Sequence, residues 1–199
     1  MEKQKILLHS CCAPCSTAVI EKLSKDFDIT ILYYNPNIYP EDEYVKRKNE
    51  QLKYIDILKK TSPETNVSFL DCDYDCITFY NAVKGLENER EGGARCAVCF
   101  KVRLQKTAEM AKELGYDYFG TTLSVSPHKN AEVINGIGKT FEKQYNTKFL
   151  EANFKKQNGY KRSVELSKQN ELYRQNYCGC KFALNIQKQE APESLKKTY

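Results

Sequence analysis

The chain lacks several features by which the class of a protein is often recognised. Its 199 residues include no tryptophan, two histidines and two methionines. No apolar run approaches the ~20 residues that a membrane-spanning helix needs. The N-terminal MEKQKILLHS has neither the long apolar region nor the small-residue cleavage site of a secretory signal. We therefore expect a cytoplasmic protein with no membrane partner.

Nucleotide-binding and repeat signatures are missing as well. The sequence has no G-x-G-x-x-G motif, no P-loop, no internal repeat and no low-complexity segment, so no nucleotide cofactor is indicated. The remaining composition is typical of a globular protein, with 41% hydrophobic residues, 29% charged residues and a net charge of +5. That charge permits a nucleic-acid partner without requiring one.

The hydrophobic pattern predicts one folded domain, residues 1–185, and a polar C-terminal tail, residues 186–199. The predicted strands are KILLHS, DITILYYNPNI, NVSFLDCDYD, YDYFGTTLSVSP and TKFLEANFK. They alternate with the predicted helices APCSTAVIEKLSKDF, residues 41–60, CITFYNAVKGLENE, CAVCFKVRLQKTAEMAKELG, NAEVINGIGKTFEKQYN and SVELSKQNELYRQN. This alternation predicts an α/β fold: a single three-layer domain with a mostly parallel, Rossmann-like sheet and additional C-terminal helices.

Three details of the predicted helices can be compared with a structure. Pro14 lies in the first turn of the first helix, where its missing N–H costs little. Gly115 follows the helix that contains CAVC and predicts its end. The helix at 41–60 is predicted to bury one stripe, with its charges opposite, made of Tyr44, Val45, Leu52, Ile55 and Leu58.

Ligands of parallel α/β sheets bind outside the carboxyl ends of the strands. The segments that follow the five predicted strands are HSCC, NPNIYPED, DCDYDC, TTLSVSPHK and NFKKQNGYKR. Because these segments meet at one edge of the sheet, we expect the functional site there.

Nine cysteines are the most informative feature that the sequence does contain. In a reducing compartment structural disulfides are rare, so metal ligation and redox chemistry are the leading interpretations. Three short-range pairs come from three distant segments, namely Cys11–Cys12, Cys96–Cys99 and Cys178–Cys180. The remaining cysteines, Cys15, Cys72 and Cys76, are interpreted as packing residues.

The first two pairs favour an iron–sulfur cluster. Adjacent cysteines are awkward ligands for one zinc ion because their side chains diverge, whereas a cubane cluster offers irons several ångströms apart. Structural zinc sites usually take two C-x-x-C-like knuckles, and only one is present. The C-x-x-C at a helix start also predicts thiols with lowered pKa. We therefore predict a 4Fe–4S cluster on Cys11, Cys12, Cys96 and Cys99.

The Cys178–Gly179–Cys180 segment has two interpretations. A C-x-C disulfide is strained and labile, which suits a redox-active pair. The same thiols, completed by a carboxylate such as Asp75, suit a second metal beside the cluster. Either interpretation makes Cys178, Cys180 and Asp75 candidate catalytic residues.

The other candidates concern substrate. His9 is interpreted as a hydrogen-bonded core residue. His128 and Lys129, in SPHKN, belong to a strand exit and are candidate substrate contacts. In NFKKQNGYKRS, basic residues alternate with aromatic ones, which suits phosphate neutralisation and base stacking as well as a solvated loop; the basic residues are Lys155, Lys156, Lys161 and Arg162.

Four segments together resemble one known family. LLHSCCAPCS, VKGLENEREGGARCAVCFKVRL, FGTTLSVSPHKN and LYRQNYCGC, which span residues 6 to about 183, are similar to the QueH family of cobalamin-independent epoxyqueuosine reductases. The resemblance implies the last step of queuosine synthesis: epoxyqueuosine at the wobble position of tRNA loses its epoxide oxygen as water. It also implies a 4Fe–4S cluster on Cys11, Cys12, Cys96 and Cys99 and a redox-active Cys178–Cys180 pair.

The resemblance has further implications for cofactors and partners. The family's sheet resembles that of PP-loop ATPases, but thiols replace the Gly-rich loop after strand one, which argues against ATP use. The expected partners are tRNA and an external low-potential electron donor of ferredoxin or flavodoxin type, and a mononuclear iron beside the cluster is an option. The alternatives are an iron–sulfur-dependent tRNA-thiolating enzyme of PP-loop type and a non-catalytic, metal-stabilised RNA-binding module.

Overall fold

The computed structural model describes residues 3–184, so the predicted tail, residues 186–199, lies outside the described residues. The strands are β1 (Gln4–His9), β2 (Phe27–Tyr33), β3 (Val67–Asp71), β4 (Tyr118–Thr121) and β5 (Lys148–Phe149). The helices are α1 (Ala13–Leu23), α2 (Glu41–Thr61), α3 (Cys76–Ala82), α4 (Ala94–Glu113), α5 (Ala131–Tyr145) and α6 (Gly159–Gln169). Residues 123–125 form a short 3₁₀ turn.

The five strands form one sheet in the order β3-β2-β1-β4-β5, and every pairing is parallel. This confirms the predicted α/β fold with a parallel sheet. The strand order reverses between β1 and β4, so the loops that leave these two neighbouring strands go to opposite faces of the sheet. Such a switch point opens a crevice at the carboxyl edge.

Helices cover both faces of the sheet, which gives the three predicted layers. Along β1 the side chains alternate: Ile6 and Leu8 pack with α1 and α2, and Leu7 packs with α4 and α5. All three are fully buried. Helix α6 packs against α1. The near-continuous apolar run of β1 is typical of a strand covered on both sides.

Two of the predicted helix ends are confirmed. Pro14 lies in the first turn of α1. Gly115, with φ +71°, follows α4 in a left-handed conformation. The Tyr116 N–H donates to the Ala111 carbonyl at 2.9 Å, and the Gly115 N–H donates to the Lys112 carbonyl at 3.4 Å. These two bonds are the pattern of a Schellman motif.

Other details of the prediction are wrong. On α2, Val45 is 44% exposed, whereas Arg47 is buried. The last predicted helix, 163–176, begins earlier and ends at Gln169, so residues 170–176 are not helical. The third helix, predicted to end near Gly85, ends at Ala82. Among the helices of residues 3–184, none combines the length and apolar character needed to cross a bilayer.

Candidate functional site

A cleft of about 340 Å³ opens at the carboxyl edge of the sheet, where β1 and β4 end. This is the strand-order reversal described above, at the edge where the site is predicted. Its walls come from the start of α1, the loop after β4, the start of α6 and the segment that leads to Cys178. The lining includes Cys11, Cys15, His128, Lys129, Tyr160, Arg174, Gln175 and Cys178.

The first wall holds a group of three thiols. The Sγ atoms of Cys11, Cys12 and Cys15 all lie within 4.8 Å of one another. Cys12 is the extended residue that precedes α1, and Cys15 lies in the first helical turn. Because this turn brings the third thiol back to the first two, Cys15 is part of the group. Cys15 also packs against the apolar cluster that contains Leu7 and Cys11, and its interpretation as a packing residue stays a prediction.

Hydrogen bonds within this group shift the pKa values of the three thiols in different directions. The Sγ atoms of Cys11 and Cys12 are 3.8 Å apart. Hydrogen bonds from Cys12 and Cys15 lower the pKa of Cys11, since they stabilise its thiolate. The same bonds, together with burial, raise the pKa of Cys12 to about 12 and raise that of Cys15 as well. Cys11 is therefore the thiol of the group that ionises most readily.

The second thiol group joins the start of α4 to the C-terminal segment. Cys99, Cys178 and Cys180 pack in one apolar cluster with Phe79. The Cys96 thiol accepts the Gly92 N–H at 3.2 Å. Burial raises the pKa of Cys99 to about 12 and also raises that of Cys96. The predicted pKa lowering at this helix start is wrong because desolvation outweighs the helix dipole.

A buried arginine clamps the Cys178–Gly179–Cys180 segment. Arg47 Nη1 donates to the Cys178 carbonyl at 3.2 Å, and Nη2 donates to the Tyr177 carbonyl at 3.3 Å. Its Nε donates to Glu43 at 2.7 Å. Gly179, with φ +104°, leaves room for the guanidinium, since an added Cβ would lie 2.9 Å from Nη1. The redox-candidate pair is thus held rigidly against α2.

Arg103 connects the two thiol groups, and the sequence analysis did not single it out. It lies one turn after Cys99 on α4 and is 1% exposed. Its charge interacts with the thiols of four cysteines, in decreasing order Cys99, Cys178, Cys11 and Cys96. Its position four residues after the C-x-x-C is the signal that would have found it, because residues i and i+4 share a helix face.

Lys129 and His128 line the same cleft as Cys11 and Cys15. Lys129 is half-buried, and its backbone carbonyl accepts Lys155 Nζ at 2.6 Å. Burial alone would lower the pKa of Lys129, but Cys178, Cys11 and Cys15 raise it. His128 is exposed in the cleft mouth, and its N–H donates to Ser126 Oγ at 3.3 Å. The structure therefore brings both predicted residues to the cleft.

The four basic residues predicted after β5 differ in their surroundings: two form hydrogen bonds within the protein, and the other two are exposed. Lys155 is engaged by the Lys129 carbonyl, as described above. Arg162 forms two hydrogen bonds with Glu21, at 2.6 and 2.9 Å, which tie α6 to α1. Lys156 and Lys161 are exposed and flank Tyr160, which lines the cleft. Neither lysine is among the residues that line the cleft.

Asp75 begins α3 and serves as its N-cap. One carboxylate oxygen accepts the Thr78 N–H at 3.1 Å and the other accepts the Thr78 hydroxyl. These bonds lower the pKa of Asp75. Asp75 is not among the residues that line the cleft. Its role as a metal ligand or proton donor stays a prediction.

Buried polar side chains form hydrogen bonds around the segment that precedes Cys11 and Cys12. His9 is fully buried, with Nδ1 2.9 Å from Thr121 Oγ1 and Nε2 3.3 Å from Asn35 Oδ1, which confirms its interpretation as a core residue. Desolvation lowers the pKa of His9 to about 3, so the ring is neutral. Ser10 Oγ donates to Gln51 Oε1 at 3.0 Å. This network fixes the loop that presents Cys11 and Cys12.

The donor set fits a metal or cluster cofactor. Thiolates are the ligands of iron–sulfur clusters, and within residues 3–184 all nine cysteines are free. Arg103 Nη2 is buried without a hydrogen-bond partner, as expected where an anionic cluster belongs. The fold and the site together define a class: an α/β enzyme whose cleft is built for thiol-based redox or metal chemistry.

Comparison with known proteins identifies the family within this class. The family model "Epoxyqueuosine reductase QueH" matches residues 6–186. The Streptococcus pyogenes epoxyqueuosine reductase QueH is 47% identical over 185 residues, which cover 93% of this chain and 72% of the relative. The Staphylococcus epidermidis protein is 45% identical (92% and 77% covered), and the Thermotoga maritima protein 38% (96% and 96%). The chain belongs to the QueH family, as its motifs predicted.

Proposed function

We propose that this chain is an epoxyqueuosine reductase that converts epoxyqueuosine in tRNA to queuosine. Family membership over residues 6–186 supports the activity. The observation that carries the proposal is the thiol-lined cleft at the switch point, where Cys11, Cys15 and Cys178 face cationic residues. The reaction consumes two electrons and two protons, breaks both C–O bonds of the epoxide, and yields an alkene and one water.

We assign a 4Fe–4S cluster to Cys11, Cys12, Cys96 and Cys99. When bound, such a cluster supplies electrons one at a time at low potential. The buried positive charge of Arg103 beside these thiols supports the assignment. Gln175 Nε2 donates to Cys12 Sγ at 3.0 Å, and the Gly92 N–H donates to Cys96. These donors stabilise thiolates, which is the form that binds iron.

The Cys178–Cys180 pair supplies the second redox unit in this proposal. Cys178 lines the cleft, whereas Cys180 is buried and is not among the lining residues. Cys178 is thus the thiol that meets the substrate, and Cys180 is its partner, either as a dithiol or, with Asp75, as a ligand of a mononuclear iron. The Arg47 clamp fixes the segment in both cases.

The cleft rim supplies the tRNA contacts. His128 and Lys129 line the cleft, and Lys156 and Lys161 extend the positive charge beyond it. Tyr160 is 40% exposed, lines the cleft and offers an aromatic face for base stacking. Phosphate neutralisation by such lysines makes binding salt-dependent. The electron donor is proposed to be a ferredoxin or flavodoxin.

A single reconstitution experiment tests the activity. The protein is loaded anaerobically with iron and sulfide, incubated with epoxyqueuosine-containing tRNA and a low-potential reductant, and the nucleosides are analysed by mass spectrometry. We expect the modified nucleoside to lose one oxygen atom, and Cys178→Ala to keep the visible absorbance of the cluster while losing turnover. An unchanged nucleoside mass with loaded, reduced protein would contradict the proposed function.

A further inference from the structure

Three arginines are among the largest fully buried side chains within residues 3–184. They differ in the groups that accept hydrogen bonds from their guanidinium. Arg47 pairs with Glu43 and donates to two carbonyls. Arg95 Nη1 donates to three backbone carbonyls, which belong to Leu86, Glu87 and Glu89. Arg103 donates through Nε to one carbonyl, that of Cys99, at 3.2 Å.

The remaining surroundings of Arg103 do not neutralise its charge. Among the described residues, no carboxylate lies within 4.0 Å of its guanidinium, and Nη2 has no hydrogen-bond partner. The ring of Phe100, 5.7 Å from Cζ, provides a weak cation–π contact. An isolated buried charge is strongly unfavourable. A partner of negative charge must therefore belong beside it.

The groups around Arg103 that can carry negative charge are thiols. Its charge interacts with Cys99 and Cys96 on its own helix, with Cys178 on the C-terminal segment, and with Cys11 at the start of α1. Three of these four residues are proposed cluster ligands. A cluster with four thiolate ligands carries net negative charge, and net charge is one of the factors that set the reduction potential of such a cluster.

We propose that Arg103 is the counter-charge of the iron–sulfur site and raises its reduction potential. Arg103 is a positioning residue: it contacts neither the substrate nor the irons, and it acts through the ligand thiolates. A nearby positive charge stabilises the reduced cluster, which carries one more electron, more than the oxidised one. Because the bound cluster would supply the negative charge that this buried guanidinium lacks, Arg103 also couples cluster binding to stability.

The test compares Arg103→Met, Arg103→Lys and the wild type, each with and without iron and sulfide. Arg103→Met keeps an apolar stem and removes the charge, and Arg103→Lys keeps the charge. The control is Lys60→Met, which removes an exposed positive charge in the last turn of α2. The readouts are the midpoint potential by spectroelectrochemical titration and the melting temperature of both forms.

We expect loaded Arg103→Met to have a more negative midpoint potential and a smaller gain in melting temperature on loading. Its apo form should melt no lower than the apo wild type, because an uncompensated buried charge has been removed. Arg103→Lys should restore the potential, and Lys60→Met should behave as wild type. An unchanged potential in Arg103→Met, or an equal loss of stability in both of its forms, would overturn the proposal.

The inference rests on the proposed cofactor, and different results would contradict the cofactor assignment and the role of Arg103. If the wild type takes up no iron and sulfide, the cofactor assignment fails. If the wild type loads normally and Arg103→Met matches it in potential, only the role of Arg103 fails.

Discussion

Lys129 is a half-buried cation on the cleft wall, and the thiols of Cys178, Cys11 and Cys15 act on its charge. We expect Lys129→Gln to lower kcat/KM by about tenfold to a hundredfold, since a charge-assisted contact contributes about 1.5–3 kcal/mol. Lys129→Arg should restore part of the activity. The measurement is steady-state reduction of epoxyqueuosine-tRNA. The matched control is Lys101→Gln, on an exposed position of α4; equal activities in the two Gln variants would contradict a role for Lys129.

Cys15 offers a second test among single residues. Its thiol lies within 4.8 Å of those of Cys11 and Cys12, yet the proposed cluster takes its other two ligands from Cys96 and Cys99. We expect Cys15→Ser to retain the iron content of the wild type and Cys96→Ser to lose iron and visible absorbance. Iron and sulfide assays on reconstituted proteins decide this. Loss of iron in Cys15→Ser to the same extent would place Cys15 in the ligand set.

Helix α5 approaches β5 closely at Gly138, which has no side chain to separate them. An added Cβ at Gly138 would lie 2.3 Å from the Phe149 ring. We therefore expect Gly138→Ala to destabilise the protein by about 1–3 kcal/mol, the usual cost of overpacking. The measurement is the free energy of unfolding from urea titration.

Gly136, on the same helix, is the matched control. An added Cβ there has no neighbour within 4 Å, so Gly136→Ala should stabilise the protein by about 0.5–1 kcal/mol through helix propensity. Destabilisation of similar size in both variants would show that α5 itself, not its contact with β5, responds to the substitutions.

Features that depend on residues close together in sequence could be predicted, whereas features that depend on residues far apart in sequence could not. Helix ends such as Gly115 were predictable because the signal is local. Burial of Arg47 was not, because its partners Tyr177 and Cys178 are about 130 positions away in sequence. The site followed the same rule. The topology of parallel sheets predicted its edge, whereas the meeting of Arg103 with four cysteines depends on three segments packed together.

The whole molecule is arranged so that the proposed cluster joins its two helical layers. Cys11 and Cys12 directly precede α1, which covers one face of the sheet, and Cys96 and Cys99 belong to the first turns of α4, which covers the other. Ligands from both layers mean that binding opposes unfolding of the entire domain. A ligand at a hundredfold excess over its Kd contributes about 2.7 kcal/mol, which corresponds to about 5–10 °C in Tm at this size.

We therefore expect removal of iron by an anaerobic chelator to lower Tm by about that amount, with a single cooperative transition in both forms. Circular dichroism and calorimetry measure the change. Cys72→Ser is the control, because its sulfur contacts Met110 at 3.5 Å, outside the thiol groups; its gain in Tm on loading should equal that of the wild type. Cys99→Ser should show no gain. An equal Tm for the loaded and iron-free wild type would mean that the cysteines of the two layers do not share a ligand.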